Sequence, residues 1–290
     1  HAARGLSNHE VSTIERDVWR TIGAVQTRFG SFSNHGEKGR MGRAKAMKRL
    51  LTAISLTDSM GYCQGMNYVA DFLLRIFSEE DSFCLFLHAL RNRHLCCVYE
   101  TNLPFLSDLM DIYEQQLTHN LPTLAAHLKS KNFLAPFYSI EWFTTLFTLS
   151  CPPTLTIAVW DLFFFGFQDT FLRAAIAIMS VLENQLLELD TEDLLKNFRI
   201  LASEVDTDEV LRCIFKVMVI PGKLSDGTTL IIPPGERGDT LLAMRNHYLS
   251  QNKKVRNDRL NDTECRTKEK VEKQTRKYLR RVEDRSPYAQ

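Results

Sequence analysis

No stretch of the 290 residues carries the G-x-x-x-x-G-K-[ST] spacing of a phosphate-cradling loop, and none carries the H-E-x-x-H spacing of a helical zinc site. Seven cysteines include the neighbours Cys96 and Cys97 but no C-x-x-C, which argues against both a disulfide framework and a structural zinc site. Strand signals are confined to "TTLIIPP" at 228–234, and no internal repeat is present. The most apolar region, 133–168, is interrupted by Glu141, Pro152, Pro153 and Asp161, so it reads as core rather than as a bilayer span. The opening "HAARGLSNHE" has neither a basic n-region nor an apolar h-region and reads as an excised domain, not a signal peptide. The net charge of +1 leaves no strong nucleic-acid footprint.

The remaining composition is that of a globular protein, with 44% hydrophobic and 24% charged residues. Apolar residues recur near the helical period over 11–22, 45–58, 62–77, 81–98, 104–117, 121–130, 140–149, 154–165, 171–188, 191–203 and 207–219. The expectation is therefore an all-α fold of about ten or more helices with negligible strand. Asp190 with Thr191, and Thr207 with Asp208, supply oxygens suited to capping two of these helices. The core domain is expected over 1–222 and a loop over 223–238, where "IIPPGERGD" combines consecutive prolines and glycines. A charged helical extension is expected over 239–290. Its last forty residues carry 13 lysines and arginines against 7 acidic residues, a mixture typical of a solvated helix. Cysteines in "SFCLFL" and "LRCIF" read as buried thiols of a reducing compartment, placing the protein in the cytoplasm.

Two polar clusters stand out against this pattern. In "VSTIERDVWRT" (11–21), Val11, Ile14, Val18, Trp19 and Ile22 form an apolar stripe, and Arg20 points to nearly the opposite side with Asp17 one turn before it. In "GYCQGMNYVADFLL" (61–74), Tyr62, Cys63, Met66, Val69, Ala70, Leu73, Leu74 and Phe77 form the stripe. Gln64 then falls on the other face with Asn67, Tyr68, Asp71 and Arg75, near a helix N-terminus where Gly61 and Gly65 allow close backbone approach. Taken alone, each cluster is an ordinary solvated helix face.

In this order and spacing the two clusters resemble the catalytic motifs of the TBC-domain family, the Rab GTPase-activating proteins. Ile14, Asp17 and Arg20 match I-x-x-D-x-x-R, and Tyr62, Gln64 and Gly65 match Y-x-Q-G. Trp142, Phe147, Trp160, Asp161 and Gly166 match a further family stretch, so that the resemblance spans roughly 10–220. The R-x-x-x-W-type helix that usually opens the family domain is not found, so the chain is expected to lack that first helix. Ile22 and Gly23 stand where the family often has Phe-Pro, and Phe165 where it often has an acidic residue.

The resemblance implies a chain that completes the active site of a GTP-loaded Rab rather than turning over a substrate itself. Arg20 and Gln64 would be the catalytic pair, supported by Ile14, Asp17, Tyr62 and Gly65. Arg20 would stabilise charge on the transferring phosphoryl group and Gln64 would position the attacking water, while GTP and Mg would belong to the partner. An arginine fork stays charged and donates several hydrogen bonds, and a neutral amide both accepts and donates. The chain would need no cofactor or metal of its own and would reach trafficking membranes peripherally, through the Rab. The alternative is a catalytically silent helical scaffold or effector that binds a small GTPase or another partner. A cysteine hydrolase using Cys63 with His88 or His94 is a weaker rival. The basic segment "NHGEKGRMGRAKAMKR" (34–49) reads as a flexible loop able to steer an acidic surface.

Overall fold

The computed structural model describes residues 6–24, 37–57, 61–99, 104–230 and 240–256. The helices are α1 (Asn8–Ala24), α2 (Glu37–Thr57), α3 (Met66–Ile76), α4 (Glu79–Asn92), α5 (Pro104–Asn120), α6 (Pro122–Ser130), α7 (Ala135–Thr145), α8 (Pro153–Phe165), α9 (Thr170–Leu187), α10 (Thr191–Glu204), α11 (Thr207–Ile214) and α12 (Thr240–Arg256). A 3-10 turn over Leu95–Tyr99 follows α4. Among the described residues the only β pairing is an isolated bridge between Lys223 and Thr229, so the fold is all-α as expected. The rest of "TTLIIPP" lies outside the described residues, as does the extension beyond 256.

Local chemistry sets the helix starts. Ser7 and Glu10 form a reciprocal capping box on α1: Glu10 N–H donates to Ser7 Oγ at 3.2 Å, and Ser7 N–H donates to Glu10 Oε2 at 2.9 Å. Asp190 caps α10 by accepting from Asp193 N–H, as expected. The cap of α11 is Asp206, one residue before the expected pair, accepting from Glu209 N–H.

α9 lies at the centre, with α5, α6, α7, α8, α10 and α11 packed around it. Its 18 residues are long and apolar enough to cross a membrane, yet most of that length is buried by these neighbours, which explains the composition. The motif residues Trp142, Phe147 and Trp160 belong to the same core, where Trp142 and Phe147 stack at 5.6 Å and Trp160 Nε1–H donates to the Leu146 carbonyl. Gly166, with φ 91°, closes the C-terminus of α8.

Several expectations are corrected. The span 81–98 is two elements, because His94 adopts φ 63° between α4 and the 3-10 turn. α7 begins five residues earlier than expected, with Pro136 in its first turn, and ends where Leu146 and Phe147 turn left-handed. The segment 34–49 is not a loop from residue 37 onward: it is the first half of α2. Three of its basic side chains form ion pairs within the chain, Arg43 with Asp71, Lys48 with Glu15 and Arg49 with Glu79. Of the cysteines expected to be buried, Cys84 is exposed and Cys213 half-buried.

Candidate functional site

The first three helices build the site, α1 packing on α2 and on α3. Ile14, Val18 and Ile22 bury one side of α1, so the helix is held in one rotational phase. That phase directs Asp17 inward, to 2% exposure, and leaves Arg20 outward with 45% of its side chain exposed. The pair is not the surface contact its i, i+3 spacing suggests. Asp17 Oδ1 lies 3.1 Å from Arg20 Nη2 and holds one edge of the guanidinium from below.

The glutamine segment differs from its expected form. Gln64 is not in the first turn of a helix, since α3 starts only at Met66. It sits at the corner of a four-residue turn closed by Met66 N–H donating to the Cys63 carbonyl at 3.2 Å. Gly65 occupies the third position with φ 112°, a conformation such turns reserve for glycine. A Cβ there would lie 2.4 Å from the Thr144 carbonyl oxygen of α7, so the glycine is also required by close approach. Tyr99 braces this contact from behind, its hydroxyl donating to the same carbonyl at 3.0 Å. The corner leaves Gln64 exposed while Gly65, Met66 and Asn67 are buried.

Two hydrogen-bonded routes join the arginine turn to the glutamine turn. In the first, Tyr62 donates its phenolic hydrogen to Asp17 Oδ2 at 2.8 Å. In the second, Gly65 N–H donates to Asn67 Oδ1 at 2.9 Å, Asn67 Nδ2 donates to Thr21 Oγ1 at 2.7 Å, and Thr21 donates to the Asp17 carbonyl at 2.7 Å. The network closes on Asp17 from both ends, so neither turn can shift without breaking a buried hydrogen bond. Burial, the Asp17 hydrogen bond and the Asp17 charge together hold the Tyr62 hydroxyl protonated far above the ordinary tyrosine range.

Sequence reasoning missed Asn67 and Thr21 as members of the site, and put Asn67 on a solvated face. Both are completely buried. Asp71 and Arg75 from that same face are buried too, in an ion pair at 2.8 Å that Arg43 shares. Thr21 lies one helical turn after Asp17 and Asn67 three residues after Gln64, the one signal that could have found them. Trp19 is the opposite error: expected on the buried stripe, it is exposed. Cys63 is half-buried and burial raises its thiol pKa, the opposite of an activated nucleophile.

The chain belongs to the Rab-GTPase-TBC domain family, whose model matches residues 3–187. Among relatives, it is 27% identical over 187 residues to the human ecotropic viral integration site 5 protein homolog, covering 64% of this chain and 22% of the relative. It is 29% identical over 187 residues to the Rab GTPase-activating protein eat-17 of Caenorhabditis elegans, covering 64% and 20%. The chain thus spans about a fifth of the length of these relatives. Of solved structures, the Chlamydomonas flagellar RabGAP TBC domain superposes with TM-score 0.53 at 23% identity, over 72% of each chain. The Ypt/Rab-GAP domain of Gyp1p gives TM-score 0.53 at 12% identity, over 72% of this chain and 79% of that one. These likenesses establish the shared fold.

Proposed function

We propose that this chain is a GTPase-activating protein that accelerates GTP hydrolysis on a Rab-family small GTPase by supplying Arg20 and Gln64 in trans. The observation that carries this reading is that two exposed polar side chains, on different elements, are the outward ends of one buried network. Asp17 fixes one edge of the Arg20 fork and leaves its other N–H donors available to a phosphate oxygen. A stiff turn presents the Gln64 amide, which can accept from a water and donate to the same phosphate. Such positioning lowers the entropic cost of assembling the transition state. GTP and Mg are carried by the partner, the chain alone turns over nothing, and it acts in the cytoplasm at membranes to which the Rab brings it.

The test is a panel of GTP-loaded Rabs assayed with wild type, Arg20→Ala and Gln64→Ala. An arginine finger supplies about 10³ to 10⁵ in rate, so each variant is expected to lose two or more decades while remaining folded. Acceleration of no Rab by the wild type, or undiminished activity in both variants, would overturn the proposal.

A further inference from the structure

Trp19 directly precedes Arg20 in the chain, and 54% of it is exposed. Trp142 and Trp160, the other two of three tryptophans, are core residues. The burial of Ile14, Val18 and Ile22 fixes the phase of α1, and that phase turns Trp19 away from the core. It lies on an outer ridge with Arg16, Arg20 and Gly23, all exposed and spaced one and two turns apart. An added Cβ at Gly23 would meet no atom of the described residues within 4 Å. Among the described residues, the apolar core does not include this indole.

We propose that Trp19 is the docking anchor for the GTP-loaded Rab: its indole packs on an apolar surface of the partner at the rim of the nucleotide site, and this contact aligns α1 while Arg20 enters. The inference rests on the GTPase-activating reading. Consecutive Cα atoms are about 3.8 Å apart and consecutive helical side chains diverge by about 100°. A partner that engulfs the Arg20 guanidinium therefore meets Trp19 beside the opening, not inside it. Tryptophan and arginine are the side chains that most often carry binding energy at interface centres. The two residues have different tasks. Trp19 contacts a surface that is the same before and during hydrolysis, so it acts on affinity, whereas Arg20 meets charge that develops in the transition state and acts on the chemical step.

The direct experiment incorporates 5-fluorotryptophan and follows three fluorine resonances, the one from Trp19 being assigned with Trp19→Phe. On addition of a Rab loaded with a non-hydrolysable GTP analogue, the Trp19 resonance is expected to shift or broaden while those of Trp142 and Trp160 hold. In turnover assays Trp19→Ala is expected to raise KM for the GTP-loaded Rab at least tenfold and to leave kcat within threefold, with helical content unchanged. Arg20→Ala shows the reverse split. Phe165→Ala, which removes a 90% exposed aromatic at the end of α8, leaves KM unchanged. A complex that forms with the Trp19 resonance undisturbed, a KM within twofold of wild type, or an equal loss with Phe165→Ala would overturn the anchor. A Rab that binds and moves the Trp19 resonance without being accelerated would support the anchor and sink the activating function. Binding of no Rab would sink both.

Discussion

The phenol of Tyr62 donates a 2.8 Å hydrogen bond to Asp17, the carboxylate that also holds Arg20, and thereby ties the chain two residues before Gln64 to the helix that carries the arginine. Removing only that hydroxyl tests whether the tie matters. Tyr62→Phe keeps the ring packing but leaves a buried carboxylate oxygen without its donor, a loss of about 1.5–3 kcal/mol for a bond to a charged group. The urea midpoint is expected to fall accordingly, with the far-ultraviolet helical signal retained. Activation of the Rab is expected to drop about tenfold or more, equivalent to about 1.4 kcal/mol in the barrier. Wild-type activity in a fully folded Tyr62→Phe protein would show that the tie is only structural.

Gly65 sets the direction of Gln64 through backbone geometry alone. With φ 112° and the Thr144 carbonyl 2.4 Å from where a Cβ would stand, Gly65→Ala meets both torsional strain and a clash with backbone that cannot swing aside. Such strain costs of order 1–3 kcal/mol, and the clash adds to it. Chemical unfolding is expected to show a loss of about 2–4 kcal/mol. The surviving folded fraction is expected to be poorly active, because relief of the clash must move the turn on which Gln64 sits. Unchanged stability would mean that α7 gives way freely at Thr144.

The helical class and the outward presentation of Arg20 and Gln64 were legible because periodicity and motif spacing are local properties of the chain. What was not legible depends on contacts between elements. Asn67 and Asp71 look solvated on a helical wheel, yet α3 is packed on more than one side, by α1, α2, α4 and α7, so its polar face is buried as well. Gly39 and Gly42 suggested a loop, but α2 persists through them with Met47, Leu50, Leu51 and Ile54 in the core and Arg43 paired to Asp71. The left-handed turns at Leu146 and Phe147 carry none of the residues that usually announce them. Trp19 failed for a different reason: a hydrophobic side chain beside a stripe is indistinguishable from a member of it until the neighbouring helices are placed.

Four tyrosines predict the response to alkali. Burial first of all holds Tyr62, Tyr99, Tyr113 and Tyr138 protonated well above their ordinary range. In the unfolded chain the same phenols ionise near pH 10. Above about pH 10 the folded state therefore binds more protons than the unfolded one, so this stabilisation is complete below that pH and is lost as pH rises further. These groups are expected to cause no change in the urea midpoint between about pH 7 and 9, and to make it fall steeply above about pH 10. Tyrosinate absorbance from the buried rings is expected to rise together with loss of the helical signal. Ionisation of all the tyrosines at their ordinary pH in a chain that stays helical would contradict their burial.

Asp169 predicts a response at the other end of the pH scale, through the docking of α12. It adopts φ 53° before α9, and its Oδ1 accepts the Thr240 N–H at 2.7 Å, capping α12 from another part of the chain. Burial raises its carboxyl pKa, partly opposed by the hydrogen bonds from Thr240 and the charge of Arg173. A raised folded value means the stabilising contribution is full below the unfolded carboxyl range and is lost as pH rises through the folded pKa, so the ionised form is a cost at neutral pH. Asp169→Asn keeps the acceptor oxygen and tolerates the left-handed backbone, but removes the buried charge. It is expected to match or exceed wild-type stability at neutral pH, with the difference shrinking as the medium is acidified toward the ordinary aspartate range. Asp169→Ala loses both the acceptor and the tolerance, so the overall stability is expected to fall and the first amides of α12 to exchange faster with deuterium. A deficit in Asp169→Asn that is larger at neutral than at acid pH would reverse the assigned sign, and would mean that the charge itself, not the oxygen it carries, holds α12 in place.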